Sequence, residues 1–368
     1  MLASGLIADL AKRYDAVDLV TCAQNREIAE AIPGLRRRLY TSRDTIRVRT
    51  RLARLGIAWV VSEATDREVF RHLETHTYDL AICLRRYVRQ SSLILMSKVQ
   101  AAEKHCAWLF PTNASHAMAE KYSRGWSHYR GPLEDRSELV YYRGFLRRAL
   151  QVESGSGPRL TIAERGQAGQ IEAGLVGLVL GGGSTNWPVD HWRELARGLV
   201  RAGKRLVLFG GADAAPLAAT IRNDCPAAED CIGRLSFAES TARLARLEML
   251  VGNDTGFTHY ASLVVSRCLV ILGGGTFGRF FPWPEATNQR VIHHAMECYD
   301  CDWQCLYARP ECLHRVSAQA VLDYAVATQA ESVRNLSPMP VDYLAGWRRQ
   351  PEGLGVVRLP AGRPGLDH

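Results

Sequence analysis

The segment from Ala173 to Gly211, AGLVGLVLGGGSTNWPVDHWRELARGLVRAGKRLVLFGG, carries the pattern that decides the fold. It opens with an apolar run ending in three glycines and closes with a second run ending in two. The stretch between them is amphipathic, with four apolar residues on one helical face: Trp192, Leu195, Leu199 and Val200. This order predicts a strand, a glycine turn, a helix and a second strand, which together make a parallel βαβ unit.

The same rhythm continues along the chain in both directions. Towards the C-terminus, FAESTARLARLE (237–248) predicts a helix with Leu244 and Leu247 facing inward, and RCLVILGGG (267–275) predicts a strand. Towards the N-terminus, GIAWVVS (56–62) and YDLAICL (78–84) predict strands between helical stretches. Alternation of this kind predicts an α/β fold with two parallel sheets, that is, two Rossmann-like domains.

The domain boundary shows in the composition. The stretch 153–174 is rich in glycine and serine and lacks apolar periodicity, so it is typical of a linker. We therefore expect an N-terminal domain at 1–155, a C-terminal domain at 156–330 and a C-terminal extension at 331–368. The last residues, 350–368, contain three prolines and four glycines and are expected to be disordered.

Composition limits the function classes. The chain has 368 residues, of which 47% are hydrophobic, but no apolar stretch long enough for a membrane helix and no signal peptide, so we expect a cytoplasmic protein. The net charge is +8, and eight arginines against one acid lie between Arg36 and Arg54. This run suits a phosphorylated substrate, an anionic membrane face or a solvated surface. Nucleic acid is not expected, because no recognised binding module accompanies the charge.

A polar segment, VGNDTGFTHYAS (251–262), follows an apolar run and precedes a predicted helix. Ligands of open parallel sheets bind beyond the carboxyl ends of the strands, and helix N-termini there suit phosphate. Asp254 would then accept hydrogen bonds from ligand hydroxyls, and Gly256 would let a phosphate approach the backbone. The alternative is that Asp254 and Thr255 only cap the helix, with His259 packed in the core.

Taken in order, LGGGSTNWP, KRLVLFGG, VGNDTGFTH and LVILGGGT resemble the C-terminal domain of family 9 glycosyltransferases, the bacterial heptosyltransferases. The resemblance extends more weakly to YDLAICLR in the N-terminal half. It implies a GT-B fold, in which two Rossmann-like domains face each other across a cleft. It also implies that Asp254 binds the donor sugar, that four residues bind the diphosphate, and that His259 supports the helix start. Those four are Ser184, Thr185, Thr255 and Gly256.

The resemblance further implies an enzyme of lipopolysaccharide biosynthesis that transfers heptose from a nucleotide-diphosphate sugar, with ADP-heptose favoured as donor. The acceptor would be an anionic glycolipid such as lipopolysaccharide core, or another glycan, reached at the inner face of the inner membrane through peripheral contact. No cofactor is expected for the transfer itself. A heptosyltransferase acting on a protein acceptor is the variant interpretation.

Two features of the family pattern are missing from this sequence. Family members have a Gly-Asp pair, with the proposed general base, ahead of the first helix, so the base is expected upstream of Met1 and the catalytic residue is unknown. A protein that binds a nucleotide sugar without transferring it is the alternative. The family also has a basic residue before its Trp-Pro, where this chain has Asn186, and Arg279 is the candidate substitute.

The segment MECYDCDWQCLYARPEC (296–312) spaces four cysteines as C-x2-C-x3-C-x6-C, at Cys298, Cys301, Cys305 and Cys312. Four thiolates this close can bind one tetrahedral zinc or iron ion, and in a cytoplasmic chain a metal is expected before disulfides. Some family 9 members and the related autotransporter heptosyltransferases carry clustered cysteines near this place, with iron as the ligand in the latter. A set of four reduced thiols is the alternative. A metal here would be structural, because four cysteines leave no open position.

Overall fold

A computed structural model describes residues 1–42, 64–84, 87–88, 90–107, 110–111, 120–129, 137–161, 170–181, 183–327 and 353–357. The chain divides into two compact units, with the division between Pro158 and Arg159. Residues 3–158 form the N-terminal unit; residues 159–368, together with Met1 and Leu2, form the C-terminal unit. The predicted strand 56–62 and the arginines of the basic run beyond Arg38 lie outside the described residues.

The N-terminal unit alternates helices and parallel strands. The helices are α1 (Ser4–Arg13), α2 (Arg26–Glu30), α3 (Ala64–Thr75), α4 (Gln90–Lys98) and α5 (Glu138–Leu150). The strands are β1 (Asp18–Cys22), β2 (Arg37–Thr41), β3 (Thr77–Cys83), β4 (Tyr87–Val88), β5 (Gln100–Cys106), β6 (Phe110–Pro111) and β7 (Ser127–His128). They pair in parallel as β1-β2, β3-β5-β7 and β4-β6. Helices α1 and α5 share a buried cluster that includes Leu6, Tyr141 and Phe145.

Asp18, the first residue of β1, is the centre of a polar cluster in this unit. Its carboxylate accepts hydrogen bonds from Arg36, at 2.8 Å from Nε and 2.7 Å from Nη2, and from the Tyr78 hydroxyl at 3.0 Å. His72, near the end of α3, bonds the same hydroxyl at 3.0 Å. These contacts lie at the amino ends of the strands, away from the edge where ligands of parallel sheets bind, so the cluster is structural.

The described arginines of the basic run contact the protein itself. Arg36 pairs with Asp18, and Arg37 Nη1 lies 3.4 Å from His72 Nδ1. Arg38 donates to three backbone carbonyls, those of Ala29, Ile32 and Leu35. These three residues therefore stabilise the N-terminal unit.

The described residues of the C-terminal unit form a seven-stranded sheet. Its strands are β8 (Glu172–Val179), β9 (Arg205–Phe209), β10 (Glu229–Asp230), β11 (Leu247–Asn253), β12 (Cys268–Ile271), β13 (Gln289–Ala295) and β14 (Gly353–Val357). Numbered by their order in this unit, the strands lie side by side as 3-2-1-4-5-6, all parallel, with the antiparallel β14 at the edge. That is the Rossmann strand order. The described residues 353–357 thus differ from the disorder expected for 350–368.

The helices of this unit are α6 (Val189–Arg201), α7 (Ala215–Asp224), α8 (Phe237–Leu244), α9 (Gly256–Ala261), α10 (Glu311–His314) and α11 (Ala318–Val326). On α6, Trp192, Leu195 and Leu199 are buried as predicted, but Val200 is 46% exposed. At 100° per residue Val200 lies about 80° from Trp192, on the side away from Leu195 and Leu199, so it falls outside the buried arc. The prediction for Val200 was wrong.

Leu247 also differs from its prediction. It is buried, but it begins β11 instead of ending α8, because its backbone pairs with Glu172 of β8. Helix α8 itself begins with a capping box, in which Ser236 and Glu239 bond each other's backbone N–H groups. In the described part of the chain, no helix combines the length and apolarity needed to cross a bilayer.

Candidate functional site

The strand order of the C-terminal sheet places the site. Strand β8 lies between β9, which follows it in the chain, and β11, which comes three strands later. The connections therefore leave β8 and β11 in opposite directions, and in open α/β sheets such a switch point is where ligands bind. The loop after β8 carries Ser184 and Thr185, and the loop after β11 carries Asp254 and Thr255. The fold thus brings the two predicted polar segments to one edge of the sheet.

A buried asparagine connects these two loops. Asn253, the last residue of β11, is 2% exposed, and its Oδ1 accepts a hydrogen bond from the backbone N–H of Trp187 at 3.3 Å. Trp187 is itself buried, and its indole N–H donates to the carbonyl of Val316 at 2.8 Å. Sequence reasoning assigned Asn253 no function, although it stands directly before Asp254 in the quoted motif.

Thr255 is the N-cap of α9. Its side-chain oxygen accepts a hydrogen bond from the backbone N–H of Thr258 at 3.2 Å and lies 3.0 Å from the Thr258 hydroxyl. The hydroxyl of Thr255 thus has the capping contacts that the alternative interpretation expected. The Gly256 and Phe257 N–H groups lie in the first turn of α9, where backbone donors have no partner within the helix.

Asp254 contacts a histidine and takes no part in the cap. Its Oδ1 lies 3.2 Å from Nε2 of His259, which is one turn further along α9. The side chains of Asp254 and His259 are 14% and 9% exposed. Burial lowers the pKa of His259, and the Asp254 carboxylate offsets only part of that effect. The imidazole is therefore neutral at pH 7 and holds the carboxylate by a hydrogen bond.

Gly256 is a glycine without a packing reason. A Cβ added there would meet no atom within 4 Å, and its φ is not in the left-handed region. Gly252, four residues earlier, is different, because a Cβ there would lie 2.7 Å from the Thr258 hydroxyl and 2.9 Å from Val179. The backbone conformation at Gly256 suits any residue, and the space beside it is open. A ligand that approaches the chain closely would require such open space.

The loop after β8 includes a short 3-10 turn over Gly183–Thr185. Gly183 has a φ of +59°, and a Cβ there would also meet nothing within 4 Å. Thr185 is half-buried, and the side chain of Ser184 lies outside the described residues. The next residue, Asn186, accepts a hydrogen bond from the Trp192 indole at 3.3 Å, so its side chain fastens the loop to α6.

The third glycine-rich strand end, Gly273–Gly275, is covered by the cysteine segment. A Cβ at Gly273 or Gly275 would lie 2.5 Å from the Trp303 ring, and one at Gly274 would clash with the Tyr299 ring. These glycines are explained by packing. Arg279, the candidate phosphate contact, lies 3.6 Å from Asp302 of the same segment and stands over the Phe280 ring.

The four clustered cysteines differ in exposure. Cys312 is buried, Cys298 and Cys301 are half-buried and Cys305 is exposed. The Cys312 sulfur accepts a hydrogen bond from the Gly274 N–H at 3.2 Å, and burial raises the pKa of that thiol. Across the described residues, which include all four, no three His, Cys, Asp or Glu side chains are arranged to hold a metal ion. The thiols as they stand do not form a ready coordination site, and the metal stays a prediction.

None of the ten cysteines, all in described segments, forms a disulfide. Outside the cluster, Cys106 and Cys268 are buried in β5 and β12, and Cys22 and Cys83 are half-buried. Cys83 and Cys106 face each other across the β3-β5 pair.

Comparisons with known proteins match part of the sequence to a family and most of the chain to solved folds. Residues 183–306 match the model of glycosyltransferase family 9 (heptosyltransferase). The lipooligosaccharide heptosyltransferase 2 of Haemophilus influenzae is 31% identical over 116 residues, which are 30% of this chain and 33% of that protein. The match thus spans about a third of the relative's length.

Two solved structures resemble nearly the whole chain. The Escherichia coli ADP-heptose lipopolysaccharide heptosyltransferase II has a TM-score of 0.58 at 16% identity, with 89% of this chain and 95% of that chain covered. A family 9 glycosyltransferase from Veillonella parvula has a TM-score of 0.63 at 15% identity, with 88% and 91% covered. The predicted α/β fold, built on parallel sheets in two units, is confirmed. The chain carries a glycosyltransferase family 9 domain, at residues 183–306, in the fold of the heptosyltransferases.

Proposed function

We propose that this protein transfers heptose from a nucleotide-diphosphate sugar, ADP-heptose, to a hydroxyl of lipopolysaccharide core or another glycan. The family match supports transferase activity. The similar proteins are named as heptosyltransferases of lipooligosaccharide or lipopolysaccharide, and one name includes ADP-heptose. The transfer itself uses no cofactor in this proposal.

The observation that carries the proposal is the carboxylate of Asp254, oriented by His259 and placed next to the open backbone at Gly256. A carboxylate accepts hydrogen bonds from two or more hydroxyls, so Asp254 suits a polyhydroxylated sugar. Backbone N–H groups near Gly256, with the hydroxyls of Ser184 and Thr185 on the adjacent loop, suit the diphosphate. One edge of one sheet would then hold both halves of the donor.

The charge of the protein bears on the acceptor and on the place of the reaction. We assign an anionic glycolipid at the cytoplasmic face of the inner membrane, because the chain has a net charge of +8 and an arginine-rich run at 36–54. The described members of that run contact the protein itself, so the attraction would come from its other members. A protein acceptor is the variant, and competition between glycolipid and peptide acceptors in one transfer assay separates the two.

The test is Asp254→Ala, examined by calorimetry with ADP and with ADP-heptose. Loss of hydrogen bonds to a charged group should weaken ADP-heptose binding by about 1 to 3 kcal/mol. ADP, which lacks the sugar, should bind almost as well as to the wild type.

A matched control is Asp224→Ala. Its carboxylate is also 14% exposed, but it pairs with Arg193 and Arg197, each at 2.7 Å, at the end of α7. This variant should lose stability and keep its affinity for ADP-heptose. Unchanged ADP-heptose affinity in Asp254→Ala, with only a lower melting temperature, would reduce Asp254 to a structural residue. Donor binding without transfer to any acceptor would favour the alternative of a protein that only binds the nucleotide sugar.

A further inference from the structure

His259 has a second hydrogen-bond partner on the side of its ring away from Asp254. The indole Nε1 of Trp283 lies 3.2 Å from His259 Nδ1, while Nε2 lies 3.2 Å from Asp254 Oδ1. Both His259 and Trp283 are buried. The three side chains therefore form one continuous line from the interior of the C-terminal unit to the edge of the sheet where Asp254 lies.

The chemistry of these groups determines where the imidazole proton is. An indole N–H can only donate, so His259 Nδ1 must be the acceptor and must carry no proton. A neutral imidazole then has its proton on Nε2, where it faces the Asp254 carboxylate. Only this tautomer satisfies both contacts. A proton on Nδ1 would face the indole N–H, and Nε2 would then have no proton to donate to Asp254.

The surroundings hold the three groups in this geometry. The Phe281 ring stacks on the His259 ring, with centroids 3.8 Å apart and planes 2° from parallel. The backbone N–H of Trp283 donates to Gln289 Oε1 at 2.9 Å, and Gln289 Nε2 donates to the Ser262 hydroxyl at 3.1 Å. Ser262 follows α9 and donates to the His259 carbonyl at 2.9 Å. Trp283 is thus fixed to α9 both through its indole and through its backbone.

We propose that Trp283 is a positioning residue for the donor sugar, because its indole N–H holds His259 in the tautomer that donates to Asp254. Asp254 Oδ1 then takes the imidazole N–H, and Oδ2 is the oxygen that receives the sugar hydroxyls. This inference rests on the proposed role of Asp254 in donor binding. It assigns to Trp283, in the segment FFPWP, a function that neither its position nor its spacing in the sequence reveals.

The first test needs no variant. In protein labelled with 15N-histidine, a spectrum that correlates the ring nitrogens with the ring protons identifies which nitrogen carries hydrogen, and His259→Gln assigns the signals. We expect the His259 proton on Nε2 at pH 7. A proton on Nδ1, or one on both nitrogens, overturns the proposal.

The second test is Trp283→Phe, which keeps an aromatic ring and removes the N–H. His259 should then show the Nδ1–H tautomer or a mixture of the two. ADP-heptose should bind about 5- to 30-fold more weakly, as expected for a misplaced hydrogen bond to a charged group, with little change for ADP. The matched control is Trp192→Phe, since Trp192 is also buried but donates to Asn186. That control should lower stability and leave the His259 signals as they are.

The outcomes separate this inference from the proposed function. If Asp254→Ala weakens ADP-heptose binding and Trp283→Phe changes neither the tautomer nor the affinity, the positioning role is wrong and the proposed function stands. If Trp283→Phe shifts the tautomer while Asp254→Ala leaves ADP-heptose binding unchanged, the line of hydrogen bonds exists but does not serve a donor sugar. That outcome also overturns the positioning role of Trp283.

Discussion

The side chain of Asn253 accepts a hydrogen bond from the backbone N–H of Trp187 at 3.3 Å, which joins the end of β11 to the loop after β8. Both residues are buried, so water cannot replace this bond at low cost. The two loops assigned to the sugar and the diphosphate thus have a fixed relation before any ligand binds.

The first prediction follows from this bond. Asn253→Ala leaves the buried Trp187 N–H without its partner, which should lower the free energy of unfolding by about 1 to 3 kcal/mol in urea denaturation. ADP affinity should fall as well, because the loop with Ser184 and Thr185 loses its anchor. The control is Asn288→Ala, which removes two hydrogen bonds of 2.8 Å to the carbonyls of Ser262 and Val265. An equal loss of ADP affinity in both variants would mean that only general stability is involved.

A second prediction concerns Gly256. Gly256→Ala puts a methyl group where the structure has open space, so the melting temperature should change little. If a phosphate approaches the backbone there, the methyl group should weaken ADP binding about tenfold or more, equivalent to about 1.4 kcal/mol. Gly157→Ala, at another glycine with no atom within 4 Å of an added Cβ, is the control. Full ADP affinity in Gly256→Ala would place the phosphates elsewhere.

The sequence predicted the alternation of strands and helices because periodicity reflects burial directly. It misplaced details that depend on neighbours in space. Val200 was assigned to the buried face of α6, yet the arc that packs in the core ends before it. Leu247 was assigned to a helix, and its pairing with Glu172 in the sheet overrode that preference. Local patterns thus predict the order of strands and helices better than the surroundings of single residues.

Some residues of the candidate site could be identified from the sequence, and others could not. Asp254, Thr255, Gly256 and His259 could be singled out because they are consecutive or one helical turn apart. The contribution of Trp283 could not, since it depends on a contact between residues 24 positions apart. The glycines after β12 belong to the same glycine-rich pattern, but Tyr299 and Trp303 pack on them. A glycine can make room either for a ligand or for a packed aromatic ring. The sequence of a glycine-rich segment alone does not show which of the two is present.

A third prediction concerns the cysteine segment. Purified protein should contain about one zinc or iron per chain by elemental analysis, and Cys301→Ser should release the metal and lower stability. Closing a metal site would require the four thiols to move together, because they are not arranged for one as described. Cys268→Ser, at a buried cysteine of β12 outside the cluster, should keep the metal. Absence of both elements from protein prepared without chelators or oxidants would leave four reduced thiols, the alternative interpretation.

The last prediction is a pH dependence that originates at Asp18. Burial by itself raises the pKa of this carboxyl, but the hydrogen bonds from Arg36 and Tyr78 outweigh it and bring the pKa below its ordinary value. A carboxyl with a depressed pKa stabilises the fold above its unfolded pKa of about 3.9, and the contribution is lost as the pH falls through the folded value. Asp18→Asn removes the charge. The difference in the free energy of unfolding between wild type and variant should therefore be largest near neutral pH and shrink below about pH 4.

Urea denaturation of both proteins across this pH range measures the difference, with Glu74→Gln as the control. Glu74 pairs with Lys98 at 2.6 Å, but both side chains are exposed, so its loss should change the free energy of unfolding by less than about 1 kcal/mol at any pH. If the wild type and Asp18→Asn differ by the same amount at low and neutral pH, the ionised carboxylate is not what stabilises the cluster. The difference would then come from a property of the two side chains that does not depend on charge, such as an asparagine NH₂ group that can only donate where a carboxyl oxygen accepts.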